Sequence, residues 1–149
     1  MDPHLTFTIC NYAVLPAWLL LLVAPHKAIT QRLVHALWIP ALLTLVYTTM
    51  LLGGPEAPEG ASFSSLEGVM LFFTMPHATL AGWVHFLAFD LFIGAWETRD
   101  ARRRGIRHVY IAPCLFLTLM LGPIGLTLYL LLRLALRRTT TFDESASPA

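Results

Sequence analysis

An imidazole and a carboxylate lie near the middle of an apolar run, as His85 and Asp90 of the stretch GWVHFLAFDLF. An aspartate at the centre of a membrane-spanning helix costs about 2.5–3.5 kcal/mol on insertion scales, so it normally faces a cavity or a protein partner. The chemistry open to two titratable groups in such a place is proton transfer to or from a bound ligand. His85 and Asp90 are therefore predicted to be catalytic residues.

These two side chains do not face each other on an ideal helix. Five residues at about 3.6 per turn separate His85 and Asp90 by roughly 140° around the axis, so they cannot form an i,i+4 pair. Hydrogen bonding between helices is the alternative role for both, worth about 0.6 kcal/mol per bond on average. A carboxylate costs more than that to insert, which favours a functional site for the pair.

Three more features fall at the depth of His85, roughly 10 Å from the outer end of its span at about 1.5 Å per residue. They are Asn11, Tyr47 and the dipeptide Gly122-Pro123. A Gly-Pro break frees backbone carbonyls, which a bilayer tolerates only where protein or a cavity satisfies them. This layer predicts a site in which Asn11 is a candidate catalytic residue, with a hydrogen bond between helices as the alternative role for Asn11 or Tyr47 alone. The predicted substrate-binding residues are Trp83, Tyr47, Phe86, Phe89, His77, Glu97 and Gly122.

The composition of the 149-residue chain is that of an integral membrane protein of one domain. It is 56% hydrophobic and only 13% charged, with a mean hydropathy of +0.65, which excludes an ordinary soluble globular domain. Cys10 and Cys114 provide neither a disulfide framework nor metal-ligand spacing, and no metal or cofactor is predicted. The first apolar segment has no basic leader and no small-residue cleavage site, so we expect it to be retained.

The apolar residues come in blocks of about 20, as a hydrocarbon core of about 30 Å requires. We expect an all-α integral membrane protein with four transmembrane helices, at about Leu5–Ala24, Leu33–Leu52, Ala78–Glu97 and Val109–Leu132. Before the third span, Ser64 and Glu67 fit a capping box, which predicts a short interfacial or re-entrant helix at about Ser65–Thr74. Residues 1–138 are expected to form the transmembrane domain, and residues 139–149 a disordered polar tail.

Basic residues predict the orientation of these spans. Seven of the ten Lys and Arg residues fall in the first and third loops, whereas Arg133, Arg137 and Arg138 follow the fourth span. Cytoplasmic loops carry an excess of basic residues, so both termini are expected outside, although the last three arginines oppose this orientation. The third loop, RDARRRGIR, is interpreted as a topology signal in contact with anionic lipid. No nucleic-acid partner is predicted, because no nucleic-acid-binding motif surrounds it.

Several stretches of the chain resemble the abscisic-acid-deficient-four-like family of membrane proteins. They are NYAVLPAWLLLLVAPHKAIT, GWVHFLAFDLFIGAWETRD and LMLGPIGLTLYLLLR, and the likeness covers about Asn11 to Arg133. Its most specific part is the pattern Trp-x-His-x4-Asp-Leu-Phe, formed here by Trp83, His85, Asp90, Leu91 and Phe92. Because no plastid leader precedes the first span, we expect a bacterial member in the cytoplasmic membrane.

The plant members of that family are associated with neoxanthin synthesis in chloroplast membranes. The resemblance therefore implies a cofactor-independent isomerase of an apolar isoprenoid or carotenoid epoxide. Opening a 5,6-epoxide to an allenic alcohol is redox-neutral: an acid protonates the epoxide oxygen while a base removes a carbon-bound proton. On this hypothesis Asp90 donates a proton, His85 accepts one, and Asn11 orients one of the two. The expected partners are the membrane and a lipid, carotenoid or other terpenoid ligand.

The residues leave other functions open. The main alternative is a non-catalytic carotenoid- or lipid-binding membrane subunit that supports another enzyme. A haem or metal protein would use pairs among His35, His77 and His85, but His77 and His85 are about 80° apart on a helix and no histidine-rich partner span exists. A small proton-coupled transporter would require a homo-oligomer, because four spans are few and no internal repeat is evident.

Overall fold

The computed structural model describes residues 2–141, and all regular secondary structure in that range is α-helical. The helices, in chain order, are α1 Pro3–Val23, α2 Ala28–Leu33, α3 Trp38–Leu52, α4 Leu66–Phe72, α5 Pro76–Arg103, α6 His108–Leu121 and α7 Pro123–Arg137. The prediction of an all-α fold is confirmed. Of the predicted polar tail, residues 142–149 lie outside the described residues.

Within residues 2–141, three helical segments are long and apolar enough to cross a bilayer. They are Pro3–Val23, Ala28–Leu52, which includes both α2 and α3, and Pro76–Arg103. They correspond to the first three predicted spans, and at about 1.5 Å per residue the shortest of them is about 30 Å long. A fourth span is not confirmed.

The third span continues as helix beyond its predicted end at Glu97. Helix α5 extends to Arg103, because the segment after Glu97 contains good helix formers and no glycine before Gly105. Gly105 has a φ of 63°, a left-handed conformation that commonly ends a helix. Asp100 and the first arginines of the basic segment are therefore helical residues rather than loop residues.

The short helix before the third span is present as α4. Its N-cap is Ser65, whose hydroxyl accepts a hydrogen bond from the Gly68 backbone N–H at 3.0 Å. The predicted cap at Ser64 is thus wrong by one residue, since the serine that adopts the extended backbone of an N-cap is the next one. With seven residues, α4 is too short to cross a bilayer.

The chain divides into two compact units. Unit 1 comprises Met1–Val14 and Trp38–Ala88, and unit 2 comprises Leu15–Leu37 and Phe89–Ala149. Helices α1 and α5 each contribute residues to both units. All ten Lys and Arg residues of the chain belong to unit 2.

In unit 2, the predicted fourth span at Val109–Leu132 is a helical hairpin rather than one continuous helix. Helices α6 and α7 pack against each other, and they are joined at Gly122, which has a φ of 42°. Gly125 of α7 lies so close to the backbone of Thr118 in α6 that a Cβ atom would not fit between them. Arg137, at the end of α7, donates a hydrogen bond to the Gly105 carbonyl at 2.6 Å, just before α6 begins. The chain therefore reverses at Gly122.

A proline explains why the apolar run breaks there. Pro123 is the first residue of α7, where its fixed φ suits a helix start and its missing N–H costs nothing. Helix α6 has 14 residues and α7 has 15, so each is about 21–23 Å long, shorter than a hydrocarbon core of about 30 Å. The length of the 109–132 run predicted one span because composition alone does not distinguish one long helix from two short antiparallel ones.

The base of the hairpin is held to α5 by one buried carboxylate. Asp100 accepts a hydrogen bond from the Tyr129 hydroxyl at 2.6 Å, and its Oδ2 lies 3.4 Å from Nη1 of Arg133. Arg104 Nε lies 2.9 and 3.0 Å from the two oxygens of the same carboxylate. We call Asp100, Arg104, Tyr129 and Arg133 the Asp100 cluster. The expectation that Arg133 and Arg137 lie opposite the arginine-rich segment is wrong, because α7 returns both to it.

This hairpin predicts that the segment after α5 and the segment after α7 face the same side of the membrane. In a chain carrying Cys10→Ala and Cys114→Ala, we expect Arg107→Cys and Thr140→Cys to react with a membrane-impermeant maleimide from the same side of sealed vesicles. The cysteine-free chain gives the background. Labelling of the two positions from opposite sides would mean that residues 109–132 cross the bilayer once.

Candidate functional site

Unit 1 contains a cavity of about 250 Å³ with a mostly aromatic wall. Its aromatic residues are Tyr47, Phe63, Phe72, Phe73 and Phe86, and its small or aliphatic residues are Leu51, Ala78, Ala81 and Gly82. The one further lining residue is His85. We call this the aromatic cavity. It offers apolar surface for a hydrocarbon ligand and places two polar groups on it, an imidazole and a phenol.

The two polar groups of the aromatic cavity are neighbours. The ring centroids of Tyr47 and His85 are 6.1 Å apart, and the ring of Phe86 lies at the same distance from His85 on another side. His85 is also exposed at the surface of the unit, as is Phe86. A ligand dissolved in the surrounding hydrocarbon would therefore meet the imidazole without crossing a polar layer.

The short helix α4 and the residues beside it form one wall of the aromatic cavity. Phe72, the last residue of α4, packs with its ring centroid 4.9 Å from Phe63 and 5.8 Å from Phe73. Gly82 of α5 makes room for this wall, because a Cβ there would lie 2.7 Å from the Phe73 ring. The three phenylalanines are not among the predicted substrate-binding residues. Their signal in the sequence is the phenylalanine pair that ends the capped helix.

Asn11 and Trp83, both predicted site residues, form a pair in unit 1. The Trp83 Nε1–H donates a hydrogen bond to the Asn11 side-chain oxygen at 2.8 Å, and the Trp83 ring centroid lies 5.8 Å from that of Phe7. Trp83 lines a second cavity, of about 350 Å³, together with His4 and Phe7. Asn11 thus fixes the indole of Trp83, which lies two residues before His85 on α5.

The remaining predicted residue of unit 1 lies at the start of α5. His77 is partly buried and contacts the end of the preceding loop, where a Cβ on Gly54 would lie 3.0 Å from the His77 Cβ. It does not line the aromatic cavity. A substrate-binding role for His77 stays a prediction.

In unit 2, Asp90 and Gly122 are brought together, although 32 residues separate them. A Cβ built on Gly122 would lie only 2.7 Å from the Asp90 Oδ1, so the carboxylate rests against the tip of the hairpin. The φ of 42° at Gly122 independently favours glycine. The helix break was predicted at the depth of His85, Asn11 and Tyr47, and its contact with Asp90 was not predicted.

Glu97 is the most deeply buried acidic residue of unit 2. Its side chain is 0% exposed, and both carboxylate oxygens lie within hydrogen-bonding distance of the Thr118 hydroxyl, at 3.0 and 3.2 Å. Phe89, by contrast, is 58% exposed on the surface of α5. Substrate-binding roles for Glu97 and Phe89 stay predictions.

Sequence patterns did not predict the polar contacts of the Asp100 cluster. Asp100 and Arg133 stand in charged segments that composition assigns to loops or tails, and 33 residues separate them. Among residues 2–141, no group of three or more His, Cys, Asp or Glu side chains is arranged to hold a metal ion. The buried Cys10 and Cys114 are both free thiols.

Comparison with known protein families matches most of the chain. The family model described as ABA DEFICIENT 4-like, or ABA4-like, matches residues 5–129, most of the chain and all of the described helices up to the middle of α7. No curated protein matches the chain. No solved structure matches it either.

The contact between Asp90 and Gly122 predicts a large loss of stability for Gly122→Ala. An alanine there would be strained by the positive φ, which costs about 1–3 kcal/mol. Its Cβ would also clash with the Asp90 carboxylate, so we expect the free energy of unfolding to fall by about 3 kcal/mol. Gly60→Ala is the matched control. Gly60 also has a positive φ, of 83°, but the nearest atom to the new Cβ is Leu71 Cδ1, at an ordinary contact distance of 3.6 Å.

Denaturant unfolding of both variants in detergent measures the difference. Gly60→Ala is expected to lose the smaller amount, since it carries backbone strain without the carboxylate contact. Equal losses in the two variants would contradict the placement of Asp90 against the hairpin tip.

Proposed function

The chain belongs to the ABA4-like family, and from this premise we propose that it is an intramembrane isomerase of an apolar isoprenoid or carotenoid epoxide. Family membership fits a carotenoid-related role. The finer assignment is supported by one observation above all, the aromatic cavity of unit 1 with His85 and Tyr47 on its wall.

The shape and chemistry of the aromatic cavity suit one end of a polyene. Its volume of about 250 Å³ matches a cyclic end group better than a whole carotenoid, so the rest of the chain would extend into the surrounding lipid. Phe63, Phe72 and Phe73 supply flat apolar surface, and aromatic rings bury large areas with little loss of side-chain entropy. His85 supplies a proton acceptor at the same wall.

Epoxide opening needs an acid as well as a base. A donor protonates the epoxide oxygen as the carbon–oxygen bond breaks, and His85 removes the proton from the neighbouring carbon, whose bonding electrons form the new double bond. His85 then returns its proton to the donor, so that atoms and electrons balance without an oxidant, reductant or cofactor. The product is an isomer of the substrate.

Two side chains are candidates for the acid. Asp90 follows from the Trp-x-His-x4-Asp pattern, and it belongs to unit 2. Tyr47 belongs to the aromatic cavity itself, with its ring 6.1 Å from the His85 ring. Asn11 acts as a positioning residue, through its hydrogen bond to Trp83.

The distribution of basic residues supports an orientation in the membrane. Because the Lys and Arg residues all belong to unit 2 and α7 returns Arg137 to Gly105, the arginine-rich end of unit 2 is proposed to face the cytoplasm of a bacterial cell. The end of α7 then lies on the cytoplasmic side as well. One continuous fourth span would place the arginines that follow it on the side opposite the other basic residues, against the rule that basic residues are in excess on the cytoplasmic side. This orientation removes that conflict.

Turnover of an epoxy-carotenoid by the purified chain in nanodiscs tests this function. His85→Gln is expected to lower the isomerisation rate about 100-fold or more, because it removes the general base. Comparison of Asp90→Asn with Tyr47→Phe identifies the acid, since the variant that lacks it should lose a similar factor. Tyr12→Phe, which changes an exposed tyrosine outside the aromatic cavity, is the matched control and should keep the native rate.

The result also separates catalysis from binding. A chain that binds the epoxide but converts none of it, with His85→Gln binding equally well, would contradict the isomerase and favour the carotenoid-binding subunit. That subunit would alter pigment yield only when a second enzyme is coexpressed.

A further inference from the structure

A third cavity, in unit 2, has the opposite chemistry to the aromatic cavity. It measures about 270 Å³, and its polar and charged walls come from the segment around α2 and from the last turns of α5. The side chains that carry the charge and hydrogen bonds are His26, Gln31, His35, Arg99, Arg102 and Arg103. We call this the basic cavity. Among the residues that the structure describes, no aspartate or glutamate lines it.

One histidine of the basic cavity carries an unsatisfied donor. Nη1 of Arg99 lies 3.0 Å from Nδ1 of His35. A guanidinium only donates hydrogen bonds, so Nδ1 is the acceptor and the imidazole proton is on Nε2. Nε2 is buried and has no hydrogen bond of normal geometry among residues 2–141, since the backbone carbonyl near the ring, that of Pro25, already accepts from Gln31. A buried N–H without an acceptor is costly, which points to an acceptor that is supplied from outside the chain.

The local field favours an anion. His26 is exposed overall, but partial desolvation of its ring, together with the charges of Arg102 and His108, lowers its pKa below the usual value. The carboxylate of Asp100, the residue after Arg99, is not part of the cavity wall and is engaged by the Asp100 cluster, and its Oδ1 lies 3.7 Å from Nη2 of Arg103. The wall of the basic cavity therefore combines several cations with an unsatisfied donor.

We propose that the basic cavity binds a phosphate-type anion, a phosphomonoester or diphosphate group. Guanidinium groups donate paired, charge-assisted hydrogen bonds to phosphate oxygens, and Arg99 and Arg102 provide two of them on one wall. Gln31 and His35 add neutral donors. The anion is either the head group of an acidic lipid or a free phosphate compound from the aqueous phase, since this end of α5 leaves the apolar part of the helix.

Two probes distinguish these sources. The full chain, purified in a neutral detergent, is titrated with sodium pyrophosphate by calorimetry, and lipid retention is measured by native mass spectrometry with phosphatidic acid against phosphatidylcholine. We expect Arg102→Gln to weaken binding about tenfold, as the loss of a charge-assisted hydrogen bond does. Arg107→Gln is the matched control, because it removes the same charge from an exposed residue outside the basic cavity and is expected to change binding less than threefold.

Each outcome decides the proposal. Loss of both pyrophosphate and phosphatidic acid in Arg102→Gln supports a general phosphate site, and loss of phosphatidic acid alone supports a lipid head-group site. Binding of neither probe, or an equal loss in Arg102→Gln and Arg107→Gln, would overturn the basic cavity as a specific site. Arg102 is exposed, so the variant should fold, and His26→Gln, a second exposed change in the same wall, repeats the test. Neither residue belongs to the proposed isomerase site, so isomerisation should be unchanged.

Discussion

The buried carboxylate of Asp100 is the contact on which the architecture of unit 2 depends. It joins α5 to α7 through Tyr129 and Arg133, and it also binds Arg104, the residue that follows α5. Charged groups with almost no exposure are stable only when each is paired, and removal of one partner from such a set costs about 3–5 kcal/mol. Helix α7 must therefore return to the end of α5, whatever the length of the apolar run before it.

That return determines where the other features of unit 2 lie. It makes α6 and α7 antiparallel, places Gly122 at the tip beside Asp90, and brings Thr118 to the buried Glu97. It also gathers the arginines of α7 near those that follow Asp100. The basic end and the apolar tip of the hairpin are thus two consequences of one pairing.

Much of the fold could be predicted from the sequence because it is set by local physics. Composition predicted the three long apolar helices. The spacing of a serine and a glutamate predicted the short helix, although its N-cap is Ser65 rather than Ser64. The hairpin could not be predicted in this way, although Gly122-Pro123 was recognised as a break. Its cause is the pairing of Asp100 with residues of α7, about 30 positions away, and no period or propensity reports such a contact.

The candidate site, like the fold, has one part that local sequence predicts and another that depends on long-range contacts. His85, Phe86 and Tyr47 line one cavity, and two of these lie on α5, where helix periodicity relates their positions. Phe63, Phe72 and Phe73 were missed because they come from the segment before α5, whose position depends on tertiary packing. Asn11 was predicted to orient a catalytic group, and the structure gives it Trp83 as its partner.

The central claim is that the aromatic cavity holds an apolar isoprenoid. Mass spectrometry of the lipids that co-purify with the chain tests it most directly. Leu51→Trp is the comparison, since an indole in place of the leucine side chain at that wall should fill the cavity. A carotenoid or other terpenoid near one molecule per chain, and its loss from Leu51→Trp, is the expected result. The same bulk phospholipids in both proteins, with no isoprenoid in either, would contradict the claim.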